Sequence, residues 1–267
     1  DIKKIRSFLT TKGFYEVINS SFDECQDNSI EVDNPLDKSR KYIRSNISAS
    51  LIKNLIYNLN RQKDSIKLFE ISDIYTNSGV EKRLGIIIAG RQGANRLDFN
   101  KKLDKNYLIS IFSELEIDIT EHINAVDKIK FKSKTKNDAY SVEFNIQDIK
   151  DKFQNIVPVD DRIQKYIKYK KTSEFPRSVR DISFAFKNEE NVNNAINYIE
   201  HLKIENLQEF FIFDFYKNEK TSEIKIGYRF IFQSEDRTLT DIEVNGYIEN
   251  ILKPILQMDA VSVPGYK

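Results

Sequence analysis

Between Arg162 and Arg180 the chain carries Arg162, Lys165, Lys168, Lys170, Lys171, Arg177 and Arg180 against a single acid, Glu174. Tyr166, Tyr169 and Phe175 are interleaved with these cations. Cations meet phosphate and aromatic faces stack on unpaired bases, which is the chemistry that single-stranded RNA recognition needs. A solvated charge run is the competing explanation of the same residues. Few other chemistries are open to the chain. Cys25 is the only cysteine and His122 and His201 are the only histidines, so neither a disulfide framework nor a structural zinc site can be assembled. No His, Cys or carboxylate cluster offers a catalytic centre, and no catalytic or metal-binding residue is expected. The formal charge is only +1 over 267 residues, so any RNA site must be local.

The elements that position these residues read as two domains, in line with roughly 100 to 200 residues per domain. The chain opens on Asp1 directly into the helical pattern Ile2, Ile5, Phe8, Leu9, and is read as a fragment of something longer. Gly13 stops that helix, and Phe14, Tyr15, Val17 and Ile18 read as a strand. Asn34-Pro35 marks a turn, and Ser48 can cap a helix whose apolar face is Leu51, Ile52, Leu55, Ile56 and Leu59. Ile66 to Tyr75 and Leu84 to Ala89 read as antiparallel strands around Asn77-Ser78-Gly79, with Ile86, Ile87 and Ile88 buried on both faces. A helix follows Asp104, and Ile129 to Lys132 with Tyr140 to Ile146 give a second hairpin. This first domain, 1–157, is therefore α+β with an antiparallel sheet. Residues 158–171 form a basic linker, introduced by Pro158 and Asp160-Asp161.

The second domain, 172–267, has the pattern β-α-β-β-α-β. Its elements are a strand at Val179 to Phe186, a helix at Val192 to Leu202, strands at Glu209 to Tyr216 and Glu223 to Gln233, a helix opened by a Thr240/Glu243 capping box, and a strand at Ala260 to Val263. That order is the ferredoxin-like, RRM-like arrangement, whose helices cover one sheet face and leave the other open. Alternation puts Ile182, Phe184, Phe186 and Ile224, Ile226, Tyr228, Phe230, Phe232 under the helices, together with Phe211, Phe213 and Phe215. The open side then carries Asp181, Ser183, Asp214, Tyr216, Lys225 and Arg229. The first and third strands are neighbours in such folds, so Asp181 and Arg229 are expected to pair. That pair reads either as a register lock or as the base of an RNA contact. The basic run lies at the start of this domain, which favours RNA over a merely solvated stretch.

Two runs then carry a resemblance. Phe175-Pro176-Arg177-Ser178-Val179-Arg180-Asp181-Ile182-Ser183, and Phe232 through Asp241 with Glu243-Val244-Asn245, closely resemble the anticodon-binding domain of phenylalanyl-tRNA synthetase. Upstream, Lys12 through Phe22, Asn34-Pro35-Leu36, and Asn58-Leu59-Asn60-Arg61 through Leu68-Phe69-Glu70-Ile71 resemble the synthetase-like domain of the bacterial beta subunit. Between 90 and 170 only Val142-Glu143-Phe144-Asn145-Ile146 stands in a family-like place.

What the resemblance implies is a non-catalytic class II synthetase-like domain followed by a ferredoxin-fold anticodon-binding domain. The partners it implies are tRNA(Phe) and a catalytic alpha subunit in an alpha2-beta2 heterotetramer, with ATP and magnesium in the alpha subunit's active site. A cytoplasmic location without membrane attachment is expected, since no apolar stretch approaches roughly 18 to 20 residues. Class II synthetases typically place an arginine two residues before the motif glutamate, and the residue two before Glu70 is Leu68, which cannot pair with phosphate. Gly90-Arg91-Gln92-Gly93 is too short for the glycine-rich third motif. Candidate RNA contacts are Lys168, Lys170, Lys171, Phe175, Arg177, Arg180, Tyr216, Lys225, Arg229 and Arg237. A regulatory small-molecule module attached to an oligomerisation domain is the alternative, because ferredoxin-like folds host many ligands.

Overall fold

Ile5, Phe8 and Leu9 recur at helical spacing and are buried along α1 (Ile2–Thr11), which ends at Gly13 with φ +79°. A left-handed residue there costs glycine nothing and turns the chain into the sheet. The computed structural model of the chain describes residues 2–24, 29–61, 63–93, 95–127, 138–158, 169 and 171–265. These residues divide into two units, 1–93 with 100–164 and 94–99 with 165–267.

In the first unit β1 (Tyr15–Glu16) is shorter than its apolar run suggested, and it pairs in parallel with β5 (Ser65–Thr76). The remaining pairings of that sheet are antiparallel, in the order β1, β5, β6 (Gly79–Gly90), β8 (Ala139–Asn145) and β7 (Asn124–Ala125). The expected strand at Ile129 to Lys132 lies outside the described residues; β7 is the segment that pairs with β8. A small second sheet joins β2 (Phe22–Asp23), β4 (Tyr42–Ile43) and β3 (Ile30–Glu31). α2 (Ser48–Leu59) buries Leu51 and Leu55 with Ile87 on one face of the large sheet. α1, α3 (Lys105–Ser113) and the short α4 (Ile146–Ile149) pack with Ile86 and Ile88 on the other. Ile86, Ile87 and Ile88 are all fully buried, as a central strand covered on both faces requires.

One helix start differs from expectation. Ser48 does not cap α2 with its side chain. Asn46 Oδ1 accepts from Ala49 N at 2.9 Å, while Glu143 Oε2 accepts from Ile47 N, Ser48 N and Ser48 Oγ at 3.0, 3.1 and 2.9 Å. A carboxylate from β8 thus sits where a helix presents its unpaired amides and positive dipole end.

The second unit is β9 (Ser178–Phe186), α5 (Glu189–Glu200), β10 (Leu207–Lys217), β11 (Ile224–Phe232), α6 (Asp241–Leu256) and β12 (Val261–Ser262). The sheet is antiparallel in the order β10, β11, β9, β12, which is the ferredoxin-like topology. Asn188 caps α5 by accepting from Asn191 N at 2.9 Å, and the Thr240/Glu243 capping box is present at α6. Residues 95–99, which precede α3 in sequence, group with this unit. There Phe99 packs on Phe215 with ring centroids 5.9 Å apart, and Arg96 reaches Glu189 and Asn193 at 2.7 Å each.

Candidate nucleic-acid interface

Strand alternation decides which side chains the helices cover. Ile182, Phe184 and Phe186 from β9 and Ile224, Ile226, Tyr228, Phe230 and Phe232 from β11 form one buried cluster with Val192, Ala195 and Ile199 of α5 and Val244, Ile248 and Ile251 of α6. The intervening residues face away from both helices. Pairing registers lay them out in rows across the sheet: Phe211, Arg229 and Asp181; then Asp214, Gly227 and Ser183; then Tyr216, Lys225 and Ala185. Two basic residues, two acids and aromatic side chains therefore share an uncovered surface.

The expected pair is formed. Arg229 Nε donates to Asp181 Oδ1 and Nη2 to Oδ2, both at 2.7 Å, the fork geometry that fixes a guanidinium in plane as well as in place. Hydrogen bonding to Asp181 raises the Arg229 pKa above its ordinary value, keeping it charged at every accessible pH. Both side chains keep solvent contact, 28% and 40% exposed, so the pair positions a cation more than it stabilises the fold. Lys225 lies one row over from Gly227, and Tyr216 beside it is 54% exposed.

β10 departs from simple alternation. Its register against β11 shifts between Ile212 and Asp214, so Phe213 is an extra residue with no partner of its own. The expected set Phe211, Phe213, Phe215 is thereby split. Phe210, Ile212 and Phe215 join the core beneath the helices, whereas Phe211 pairs opposite Arg229 and Phe213 lies beside it, on the open side. The guanidinium carbon of Arg229 is 5.5 Å from the Phe213 ring centroid. A bulge inserts one residue and reverses the alternation beyond it, and no local residue type announces it.

The other candidates are dispersed. Arg180 pairs across from core-facing Phe230 and is held by α6, with Nη2 donating to Asp241 Oδ1 at 2.6 Å and Nε to Asn245 Oδ1 at 3.4 Å. Arg237 donates to both carboxylate oxygens of Glu243, one of them from Nη1 at 2.8 Å. That contact and the bonds from Thr240 hold the Glu243 carboxyl down at about 2. Both arginines therefore brace the start of α6. Lys168 and Lys170 lie outside the described residues. Lys171 approaches Glu174 at 3.1 Å on the surface, and Arg177 is exposed immediately before β9. Half-buried Phe175 is stitched down through its backbone: Gln233 Nε2 donates to its carbonyl at 2.6 Å, and its amide donates at 3.1 Å to Ser173 Oγ, which in turn donates to Ser234 O at 2.6 Å. Gln233 and Ser234 are buried polar residues whose positioning role the β-strand pattern did not expose.

In the first unit Glu70 is consumed internally. It accepts from Arg44 Nη1 at 2.8 Å, from Asn19 Nδ2 at 2.7 Å and from Asn19 N at 3.3 Å, and both ionic side chains are essentially inaccessible. Leu68 is buried with Ile47, Leu51 and Leu55 beneath α2. Among the described residues no group of three or more His, Cys, Asp or Glu side chains could hold a metal ion, and no helix is long and apolar enough to cross a membrane.

Comparison with known proteins finds two families along the chain. Residues 173–261 match the ferredoxin-fold anticodon binding domain family, and residues 1–141 match the phenylalanyl tRNA synthetase beta chain CLM domain family. Three curated relatives bear the name phenylalanine–tRNA ligase beta subunit. That of Fusobacterium nucleatum is 27% identical across 94% of this chain and 36% of its own length. That of Mycoplasma mycoides is 26% identical across 87% and 33%, and that of Aquifex aeolicus 23% across 94% and 36%. The chain thus spans about a third of the length of the curated relatives it matches. With one family covering more than half of the residues and the second covering most of the remainder, the chain belongs to the phenylalanyl-tRNA synthetase beta chain family.

Proposed function

We propose that the ferredoxin-fold unit binds the anticodon arm of tRNA(Phe), laying unpaired nucleotides of the loop on its uncovered sheet face. Tyr216, Lys225 and Arg229 meet the nucleotides on that face, while Lys168, Lys170, Lys171 and Arg177, in the basic linker and the stretch leading to β9, follow the phosphate backbone and Phe175 among them offers a ring to an unpaired base. Arg180 and Arg237 act indirectly, by holding α6. The synthetase-like domain read at 1–157 supports assembly with a catalytic alpha subunit in an alpha2-beta2 heterotetramer of the cytoplasm. In that assembly the alpha subunit activates phenylalanine with ATP and magnesium and charges the tRNA. The observation that carries this reading is the open face itself: a pinned arginine, a lysine and exposed aromatic surface in one plane, within the stretch that matches an anticodon-binding family. The names of the relatives support the wider assignment.

Binding of unmodified tRNA transcripts at varied salt tests it. The logarithm of affinity is expected to fall linearly with the logarithm of salt concentration, with a slope of about 0.7 to 0.9 per phosphate contacted. A phenylalanine anticodon should be preferred over others. Exchanging the charges, Asp181→Arg with Arg229→Asp, should preserve stability and weaken RNA binding; unchanged binding would remove Arg229 from the site. Saturable amino-acid binding without RNA binding would support the regulatory alternative instead. Failure to co-elute with an alpha subunit would count against the assembly role.

A further inference from the structure

The register shift in β10 does more than move a side chain. A Cβ placed on Gly227 would lie 2.8 Å from Cζ and 2.9 Å from Cε1 of Phe213, and 3.1 Å from Cβ of Asp214. The ring therefore rests in the space that only a glycine leaves in the middle row of the open face. On one side it is bordered by the Arg229 guanidinium, which Asp181 holds by two hydrogen bonds. The ring is half-buried, so it is fixed in position yet retains solvent-facing surface. Tyr216 lies one row beyond it.

We infer that Phe213, seated on Gly227, is the stacking platform for one unpaired base of the RNA loop, an inference that rests on the anticodon-arm reading above. A ring already ordered by its floor and its cationic border loses little freedom when a base settles on it, so stacking yields most of its attraction. Stacking tolerates any base identity, so Phe213 contributes affinity, while discrimination comes from polar groups around it. Gly227 sets the height of the ring: alanine would push it off the sheet without altering charge, and the backbone there needs no glycine conformation.

The test is a thermodynamic cycle between Phe213→Ala and abasic substitutions at each of the three anticodon positions, measured as affinity of the full chain for the anticodon arm. Phe213→Ala should weaken the intact arm by about tenfold to a hundredfold. At one abasic position that penalty should largely vanish, and Phe213→Trp should bind like the parent. Gly227→Ala should lose affinity to a similar extent while its Tm stays within a few degrees, which separates displacement of the ring from unfolding. Wild-type affinity in Phe213→Ala, or losses that multiply at all three positions, would overturn the stacking role while leaving the wider reading intact. Absence of binding by the parent chain would overturn both.

Discussion

Arg44 and Glu70 illustrate how much a single buried contact can decide. Arg44 is inaccessible to solvent and shares Glu70 with Asn19, while its own Nε and Nη2 have no partner. Removing one charge strands the other, so Glu70→Ala should cost about 3–5 kcal/mol. The denaturation midpoint of the first unit measures this, and Arg44→Met with Glu70→Leu should recover most of the loss. A change below about 1 kcal/mol in the single variant would show the pair to be dispensable. Glu70 was visible in the sequence as the motif glutamate, and the Leu68 two residues before it as an apolar misfit. Its partner, 26 residues upstream, was not, because a long-range pair leaves no local spacing. Asp181 and Arg229 were legible because two strands of known order and alternation bring them together.

At the level of elements, capping contacts show which helices stand on local signals. Thr240 and Glu243 announce α6 in the sequence and make the reciprocal contacts in the structure. The Glu243 carboxyl falls from its ordinary 4.5 to about 2 because the Arg237 guanidinium and Thr240 donors favour its charged form. A depressed carboxyl stabilises the fold above its unfolded pKa, and that contribution fades as pH falls from about 4.5 towards 2. The Tm of the second unit should therefore drop over that window, and Glu243→Gln should flatten the drop; an equally steep profile in the variant would contradict this. α2 is the contrary case. Its N-terminus depends on Glu143 from a strand nearly a hundred residues away, which made Ser48 look like the cap. Glu143→Ala should leave those donors without their acceptor and cost about 1–3 kcal/mol, read from urea unfolding. The β10 bulge is the other feature that alternation concealed, since Phe211, Phe213 and Phe215 look identical until one extra residue divides them.

On the scale of the whole molecule, charge and chain connectivity both act locally. A formal +1 hides the run of cations that precedes β9, which is why bulk composition says little about RNA. Residues 95–99 join the second unit although they precede α3 in sequence, and Phe99 packs against its core. A linear division of the chain at 158–171 has no means of expressing that insertion. Phe99→Ala should lower the stability of the second unit by about 1–3 kcal/mol, less than a fully buried phenylalanine, as read by its thermal transition. An unchanged transition would mean that the segment merely lies on the surface. The open side of the ferredoxin-fold sheet, not the side under the helices, is the proposed RNA surface. Affinity for the tRNA(Phe) transcript should be compared between Tyr216→Ala with Lys225→Glu, on the open face, and Lys253→Glu, on exposed α6. We expect at least a tenfold loss in the first and near-parental binding in the second; equal affinities in the two would contradict an RNA site on the open face.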